Sequence, residues 1–244
     1  MKTPKRVHLG LEHEHDEADS LTGPVEDYLK TIYEIGRGNV SVATNDIAQR
    51  LNLTAASVSG MVRRLADQGL LSYERYRGVM LTDSGRRAAL RTIRRHRVIE
   101  SYLSHALDYP WDRVHDEAER LEHAASDELV NRMAAAMGEP AVDPHGAPIP
   151  SREGLMDETV HLSLAELGAG YGARVVQVSD DDPEMLRYLG DLAIVPGAEV
   201  IVLSKAPYDG PISLRVAGAS ISIGPALAAQ VMVEPLIDPD APSH

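Results

Sequence analysis

Thr44-Asn-Asp-Ile-Ala-Gln-Arg-Leu-Asn-Leu-Thr-Ala-Ala-Ser-Val-Ser-Gly-Met-Val-Arg-Arg-Leu-Ala-Asp-Gln68 carries two short helical patterns on either side of a polar break. The first ends at Leu51 and the break falls at Asn52. The second starts at Thr54 or Ala55 and closes at Gly69, a residue suited to a helix C-cap. Val58, Val62 and Leu65 share one face of the second helix, and Ala48 lies where two crossing helices need a small contact. Ser57, Ser59 and Gly60 face the other way. Small residues there let a helix backbone settle into a DNA major groove. Thr54, Ala56, Ser57, Ser59 and Gly60 are therefore the expected base-facing edge. Arg63, Arg64, Arg75 and Arg77 are set to reach phosphates on either side.

Outward from this pair, Leu70–Tyr76 and Val79–Thr82 read as two short strands turned at Arg77-Gly78. Upstream, Val25, Tyr28, Leu29, Ile32, Tyr33 and Ile35 follow helical spacing from a start at Thr22 and Pro24, and Arg37-Gly-Asn39 ends that helix. Helix, short helix, turn, helix and two-stranded wing make a winged helix-turn-helix over residues 21–84. The charge agrees. The chain as a whole carries −13, yet between Tyr28 and Arg95 twelve Lys and Arg face five Asp and Glu, a surplus of seven positive charges.

Downstream the chain turns acidic. A long helix is expected from Ser84 to about Leu107, bearing His96 and Glu100 one turn apart. Tyr109-Pro-Trp111 breaks it, and a new helix begins at Asp112. There His115, Glu119, Glu122 and His123 stand at i, i+4, i+7 and i+8, within about a third of the helix circumference. Two imidazoles and two carboxylates on one stripe repel and desolvate one another, and a divalent cation removes both objections. A solvated acidic face with two incidental histidines is the plainer reading of the stripe alone. Another helix runs from Ser126 to Met137, so residues 85–150 form a helical module suited to pairing with a second copy. Asp143–Pro150 is irregular, and 151–160 reads as a linker. Beyond it the periodicity falls to two, with strands at 172–178, 199–203, 212–216, 219–223 and 231–234 and a helix at 183–189. These make a small SH3-like barrel over 161–244. Residues 1–20, rich in His and acids, read as a disordered tail.

With no cysteine the chain has neither disulfides nor thiolate ligands. No run is apolar enough for a membrane span, no signal peptide is visible, and cytoplasmic residence is expected.

Four segments together resemble the diphtheria toxin repressor family of metal-dependent transcriptional repressors. They are Asp27-Tyr-Leu-Lys-Thr-Ile-Tyr33, Arg95-His-Arg-Val-Ile-Glu100, Val114-His-Asp-Glu-Ala-Glu-Arg-Leu-Glu-His123 and Asp143-Pro-His-Gly-Ala-Pro-Ile-Pro150. The resemblance implies a mainly α protein with a C-terminal SH3-like, FeoA-type barrel, acting as a homodimer on a palindromic operator with one or two dimers bound. It further implies a primary metal site at Asp27, Glu119, Glu122 and His123. An ancillary site at His96, Glu100 and His115 would be completed from the β domain by Asp181 and Glu184, with Asp182 as an alternative. Iron-sensing members carry Met at the position of Asp27 and Cys at that of Glu119. Carboxylates at both positions match the manganese-sensing branch, so Mn(II) is the expected co-repressor, Fe(II) the alternative, and Co, Ni, Cd and Zn substitutes in vitro. Lys30 stands where small manganese regulators put a second carboxylate, which favours a primary plus an ancillary site over a two-ion primary site. The competing class is a helical carboxylate/histidine metalloenzyme, but the sequence has no nucleophile elbow, Gly-rich pocket loop or spare base. No catalytic residue is expected.

Overall fold

Val25, Tyr28, Leu29, Ile32 and Tyr33 put one buried stripe on α1 (Gly23–Gly36). Pro24 sits in its first turn, where the absent N–H leaves no helical bond unmade, and Arg37 ends it in the left-handed conformation. The computed structural model describes residues 21–37, 40–74 and 78–236. The expected tail at 1–20 and the wing arginines Arg75 and Arg77 lie outside the described residues.

Next come α2 (Thr44–Arg50) and α3 (Ala55–Asp67). Thr54 caps α3, its Oγ1 accepting from the Ser57 N–H at 3.2 Å, a contact that contributes about 1 kcal/mol. β1 (Leu71–Glu74) pairs antiparallel with β2 (Gly78–Leu81), and Val42 bridges to Val79 at the open side. Leu29, Ile32, Ile47, Val58, Val62, Leu65 and Val79 close the core of this winged helix-turn-helix.

α4 (Asp83–Leu107) is the beam of the molecule, about 37 Å long at 1.5 Å per residue. Thr82 caps it through a 3.1 Å bond from the Gly85 N–H. Gly85 has to be glycine, since a Cβ would stand 2.0 Å from the Leu70 carbonyl oxygen. The first half of α4 packs Ala89, Leu90 and Ile93 into the reader core, and its second half packs Val98, Ile99 and Leu103 on α5 (Val114–Leu121) and α6 (Asp127–Ala136). α5 starts at Val114 rather than Asp112. Trp111–Arg113 form a turn, and the Asp112 carboxylate accepts from Arg187 of the C-terminal domain at 2.9 Å. α5 is also shorter than the stripe: Glu122 is its C-cap and His123 lies in the following turn.

The C-terminal domain is a six-stranded antiparallel sheet in the order β3-β8-β4-β5-β6-β7. Its strands are β3 (Leu162–Ser163), β4 (Gly172–Val178), β5 (Glu199–Lys205), β6 (Ile212–Val216), β7 (Ala219–Ile223) and β8 (Val231–Pro235), with helices α7 (Pro183–Asp191) and α8 (Pro225–Ala228). Bulges at Val175/Gln177 and Val202/Ser204 curve it around Leu164, Leu186, Leu189, Ile194 and Leu214. β3 and α8 were not expected, being too short to leave a periodic signal.

Residues 151–160, expected as a linker, are tied to the reader. Glu158 accepts from the Tyr33 hydroxyl at 2.7 Å and pairs with Arg86, while Met156 packs on the reader core. The irregular loop 143–147 is clamped to β4. The Val178 N–H donates to the His145 carbonyl at 2.9 Å, and a Cβ at Gly146 would stand 2.0 Å from the Val176 oxygen. Among the described residues no helix is long and apolar enough to cross a membrane.

Candidate metal centres

His96 and Glu100 project from one face of α4 and both are buried. His115, in the first turn of α5, meets them: its Nδ1 lies 3.3 Å from Glu100 Oε1 and 3.2 Å from His96 Nε2. His96 Nε2 is itself 3.0 Å from that Glu100 oxygen. The fourth member comes from just beyond β4. It is Asp180, whose Oδ2 lies 3.4 Å from His115 Nδ1. One donor atom from each of the four residues falls within 4.8 Å of the others.

The expected β-domain pair, Asp181 and Glu184, is not in this cluster. Asp181 Oδ1 instead accepts from Arg50 of α2 at 2.6 Å. Glu184 lies in the first turn of α7, and the alternative Asp182 is that helix's N-cap, accepting from the Glu184 and Met185 N–H groups at 2.8 and 3.3 Å. The error is one of register. Ala173, Val175 and Val178 are buried, so the bulge between Val175 and Gln177 breaks the alternation and turns Asp180 inward and Asp181 outward.

A second cluster joins the two helical modules. His123 Nε2 lies 2.8 Å from Asp27 Oδ1 on α1 and 3.5 Å from Glu122 Oε1. Gly23 leaves room for the imidazole, since a Cβ there would come within 3.2 Å of His123 Cγ. His123 Nδ1 faces Glu26 Oε2 at 2.7 Å, and Glu26 also accepts two bonds from Arg95, at 2.8 and 3.3 Å. Asp27, Glu122 and His123 offer donors within 4.8 Å of one another. Glu119, expected as the fourth, is drawn aside by Lys30.

Lys30 is the least anticipated feature. Its ammonium is buried, 2.6 Å from Glu119, 3.1 and 3.3 Å from the two Glu122 oxygens and 3.2 Å from His96 Nδ1. The acidic groups near Asp27 are thus not left facing one another, because a tethered cation stands among them. Burial alone would lower the Lys30 pKa, but Glu122 and Glu119 outweigh it and hold it above its ordinary value. Burial raises Glu122, while the bond from His96 and the nearby Lys30 more than reverse this. Asp27 is raised chiefly by burial, against the pull of His123.

His96 presents both ring nitrogens to carboxylates, with Nδ1 2.5 Å from Glu122. Burial pulls it down, yet Glu100 and Glu122 win and push it up to about 9. The same contest, decided by Asp180 and Glu100, pushes His115 up to about 10. Burial raises Glu100, but His115 and His96 hold it down at about 2. Protons on these imidazoles therefore neutralise the carboxylates, and a divalent ion using the same nitrogens must expel them. The donors are all carboxylate oxygen and imidazole nitrogen at ligand-like spacing, which fits a hard divalent metal in both clusters.

The residues expected at a DNA-facing edge divide by exposure. Thr54, Ala56, Ser57, Gly60, Arg63 and Arg64 are exposed, whereas Ser59 is half-buried and donates to the Ala55 carbonyl at 2.8 Å. Sequence reasoning did not find Glu26, Asp180, Asp143 or His145. Asp143 and His145 had a local signal, their place in the Asp143–Pro150 segment.

Comparison with known proteins matches each of the three parts of the chain. The model for the iron dependent repressor N-terminal DNA binding domain matches residues 20–79, that for the iron dependent repressor metal binding and dimerisation domain matches 82–151, and that for the FeoA domain matches 162–235. The iron-dependent repressor IdeR of Mycobacterium tuberculosis is 33% identical over 196 residues, covering 75% of this chain and 85% of that protein. The diphtheria toxin repressor of Corynebacterium diphtheriae is 30% identical over 238 residues, covering 88% and 99%. A manganese-dependent transcriptional repressor solved in complex with manganese superposes with a TM-score of 0.81 at 40% identity, over 87% of this chain and 100% of that one. ScaR with bound Zn2+ gives 0.75 at 32%, over 87% and 99%. A DNA-binding domain, a metal binding and dimerisation domain and a FeoA domain thus follow one another along this chain, and the chain belongs to the diphtheria toxin repressor family of metal-dependent, DNA-binding transcriptional repressors, which are not enzymes.

Proposed function

We propose that Mn(II) is the co-repressor, held at a primary site by Asp27, Glu119, Glu122 and His123 and at an ancillary site by His96, Glu100, His115 and Asp180. The observation that carries this reading is the donor set at the primary cluster, which is oxygen and nitrogen only. Such sets suit Mn(II), whereas thiolate and thioether favour softer metals. Bound there, Mn(II) supplies the divalent charge that allows Asp27, Glu122 and His123 to approach one another without protons. Asp27 belongs to the reader, and Glu122 and His123 to the helical module, so their shared attachment fixes one module against the other. Glu119 leaves Lys30 to join them. In a homodimer this holds two copies of α3 about 34 Å apart, or a multiple of it, matching a palindromic operator bound by one or two dimers in the cytoplasm. Metal and DNA then favour the same arrangement and strengthen each other's binding reciprocally.

Fe(II) is the second reading, favoured by the iron-dependent relatives named above. Zn(II), Cd(II), Co(II) and Ni(II) are expected to occupy the same donors in vitro, because affinity order alone does not select against later metals. The test is DNA binding titrated with Mn(II) and, without oxygen, with Fe(II), each reversed by chelator. Activation by Mn(II) at lower free concentration supports the proposal. Activation by Fe(II) alone transfers it to iron, and full binding by the chelated protein overturns both.

A further inference from the structure

His96, Glu119 and Glu122 converge as well, offering one donor atom each within 4.8 Å of one another. The group takes one member from the ancillary cluster and two from the primary set, so it lies between the two sites. The protein fills this gap itself. Lys30 Nζ donates to Glu119 Oε1 at 2.6 Å and to Glu122 Oε1 and Oε2 at 3.3 and 3.1 Å, and it stands 3.2 Å from His96 Nδ1. Lys30 is buried, and Glu122 and Glu119 keep its ammonium charged. A positive charge held among the donors of two sites opposes a divalent ion at either one, because little water screens it there.

The ammonium also has somewhere to go. Glu34 stands one turn after Lys30 on α1, at the i, i+4 spacing that lets the two side chains meet. Burial raises the Glu34 carboxyl, and Lys30 is the strongest of the cations that pull it back down. Arg50 lies 4.0 Å from Glu34 but is engaged at closer range by Asp181, at 2.6 Å. The four-carbon stem of a lysine can swing between such partners without moving the helix.

The ancillary site reaches the same ammonium through His96. The Nε2 of that ring faces Glu100 and His115, while its Nδ1 lies 2.5 Å from Glu122 and 3.8 Å from Glu119. A ligand bond at Nε2 therefore puts an ion one imidazole away from Lys30 Nζ. Standing between the sites, the ammonium is nearer to each than they are to one another. Its departure outweighs the repulsion between two bound ions.

We propose that Lys30 is a built-in cation shared by the two metal sites and coupling them. It opposes entry to both in the metal-free protein. A divalent ion at either site displaces it toward Glu34 and so eases binding at the other. The inference rests on the two-site Mn(II) reading above. It makes the response to metal steeper than one site alone would give, through a residue that is not itself a ligand.

The test disables one site at a time in the full-length protein, with His115→Ala for the ancillary site and Asp27→Ala for the primary one. Lysine acylation followed by mass spectrometry reports where the ammonium is. Lys30 should resist modification in both metal-free variants and become reactive when Mn(II) is added to either. Calorimetry gives an independent reading. His115→Ala should weaken Mn(II) at the primary site about tenfold when Lys30 is present and leave it unchanged in a Lys30→Met background. If Lys30→Met does not fold, Lys30→Gln takes its place, and acylation of the native lysine decides in any case. No loss in the presence of Lys30, a loss that persists without it, or a Lys30 that reacts only when the primary site is loaded overturns the coupling. Each of these leaves the Mn(II) proposal standing. No bound Mn(II) in the wild type overturns the proposed function itself.

Discussion

The two candidate sites meet at one imidazole ring, that of His96, but they are built differently. The cluster around Asp27 spans two modules; Asp27, Glu119 and His123 are partly open to solvent, at 39%, 41% and 27%, while Glu122 is fully buried. It also contains its own cation, Lys30. The cluster around Glu100 buries His96 and Glu100 and leaves His115 and Asp180 partly exposed; it gathers α4, α5 and the segment after β4, and is neutralised by protons on His96 and His115. A cluster whose counter-charge is a lysine ammonium, set between a DNA reader and a dimer module, can be rearranged by a competing ion. One whose donors come from both the helical module and the FeoA domain is suited to holding those parts together. Regulation on this account belongs to the first and cohesion to the second.

Mutations can break that contrast. The largest effect is expected from Glu122→Ala, which strips partners from Lys30 and His96 at once. Leaving buried charge unpaired costs about 3–5 kcal/mol, so chemical denaturation should register a loss of that order together with loss of Mn(II)-dependent DNA binding. Lys30→Met should separate the two functions of the ammonium. The metal-free protein loses about 3 kcal/mol in the same assay, while Mn(II), freed of its competitor, binds about tenfold tighter by calorimetry. Weaker Mn(II) binding in this variant would mean that Lys30 supports the site rather than competes for it.

A smaller, paired effect tests the corrected register. Asp180→Asn removes the ion pair with His115 and should cost about 2 kcal/mol and weaken metal binding. Asp181→Asn removes only the exposed pair with Arg50 and should cost under about 1 kcal/mol with metal binding intact. The reverse ranking would restore Asp181 as the ligand. The smallest effect is in protons. His96 and His115 are raised from 6.5 to about 9 and about 10, so their ion pairs stabilise the metal-free protein fully below pH 6.5 and lose that contribution as pH rises through 9 to 10. Mn(II) must displace those protons, so its affinity should rise with pH over that range. Calorimetry in buffers of different ionisation enthalpy should register proton release.

Much of this was legible in the chain because it is local. Thr54, Thr82 and Ser126 cap the helices that follow them. The spacing of Val58, Val62 and Leu65 gave the buried face of α3, and His96 and Glu100 announced themselves one turn apart. Asp180 rather than the expected Asp181 joins the cluster because the bulge between Val175 and Gln177 shifts which residues face inward, and a sequence does not mark a bulge. Lys30 was noted as a departure, but a lysine one turn after Asp27 looks solvated until the tertiary packing of α4 and α5 closes over it. His145 was hidden for a similar reason, since its partners Glu100 and Asp180 lie 45 and 35 positions away.

The central claim is that Asp27 on the reader shares a metal with Glu122 and His123 on the dimer module. It is tested most directly by comparing wild type with Asp27→Ala in fluorescence anisotropy on DNA selected from a random pool by the Mn(II)-loaded protein, titrated with Mn(II). The account predicts Mn(II)-dependent binding by the wild type, about 100-fold weaker binding in the variant at equal free Mn(II), and a melting temperature within a few degrees of wild type. A folded Asp27→Ala that binds the same DNA with the wild-type Mn(II) dependence would contradict it.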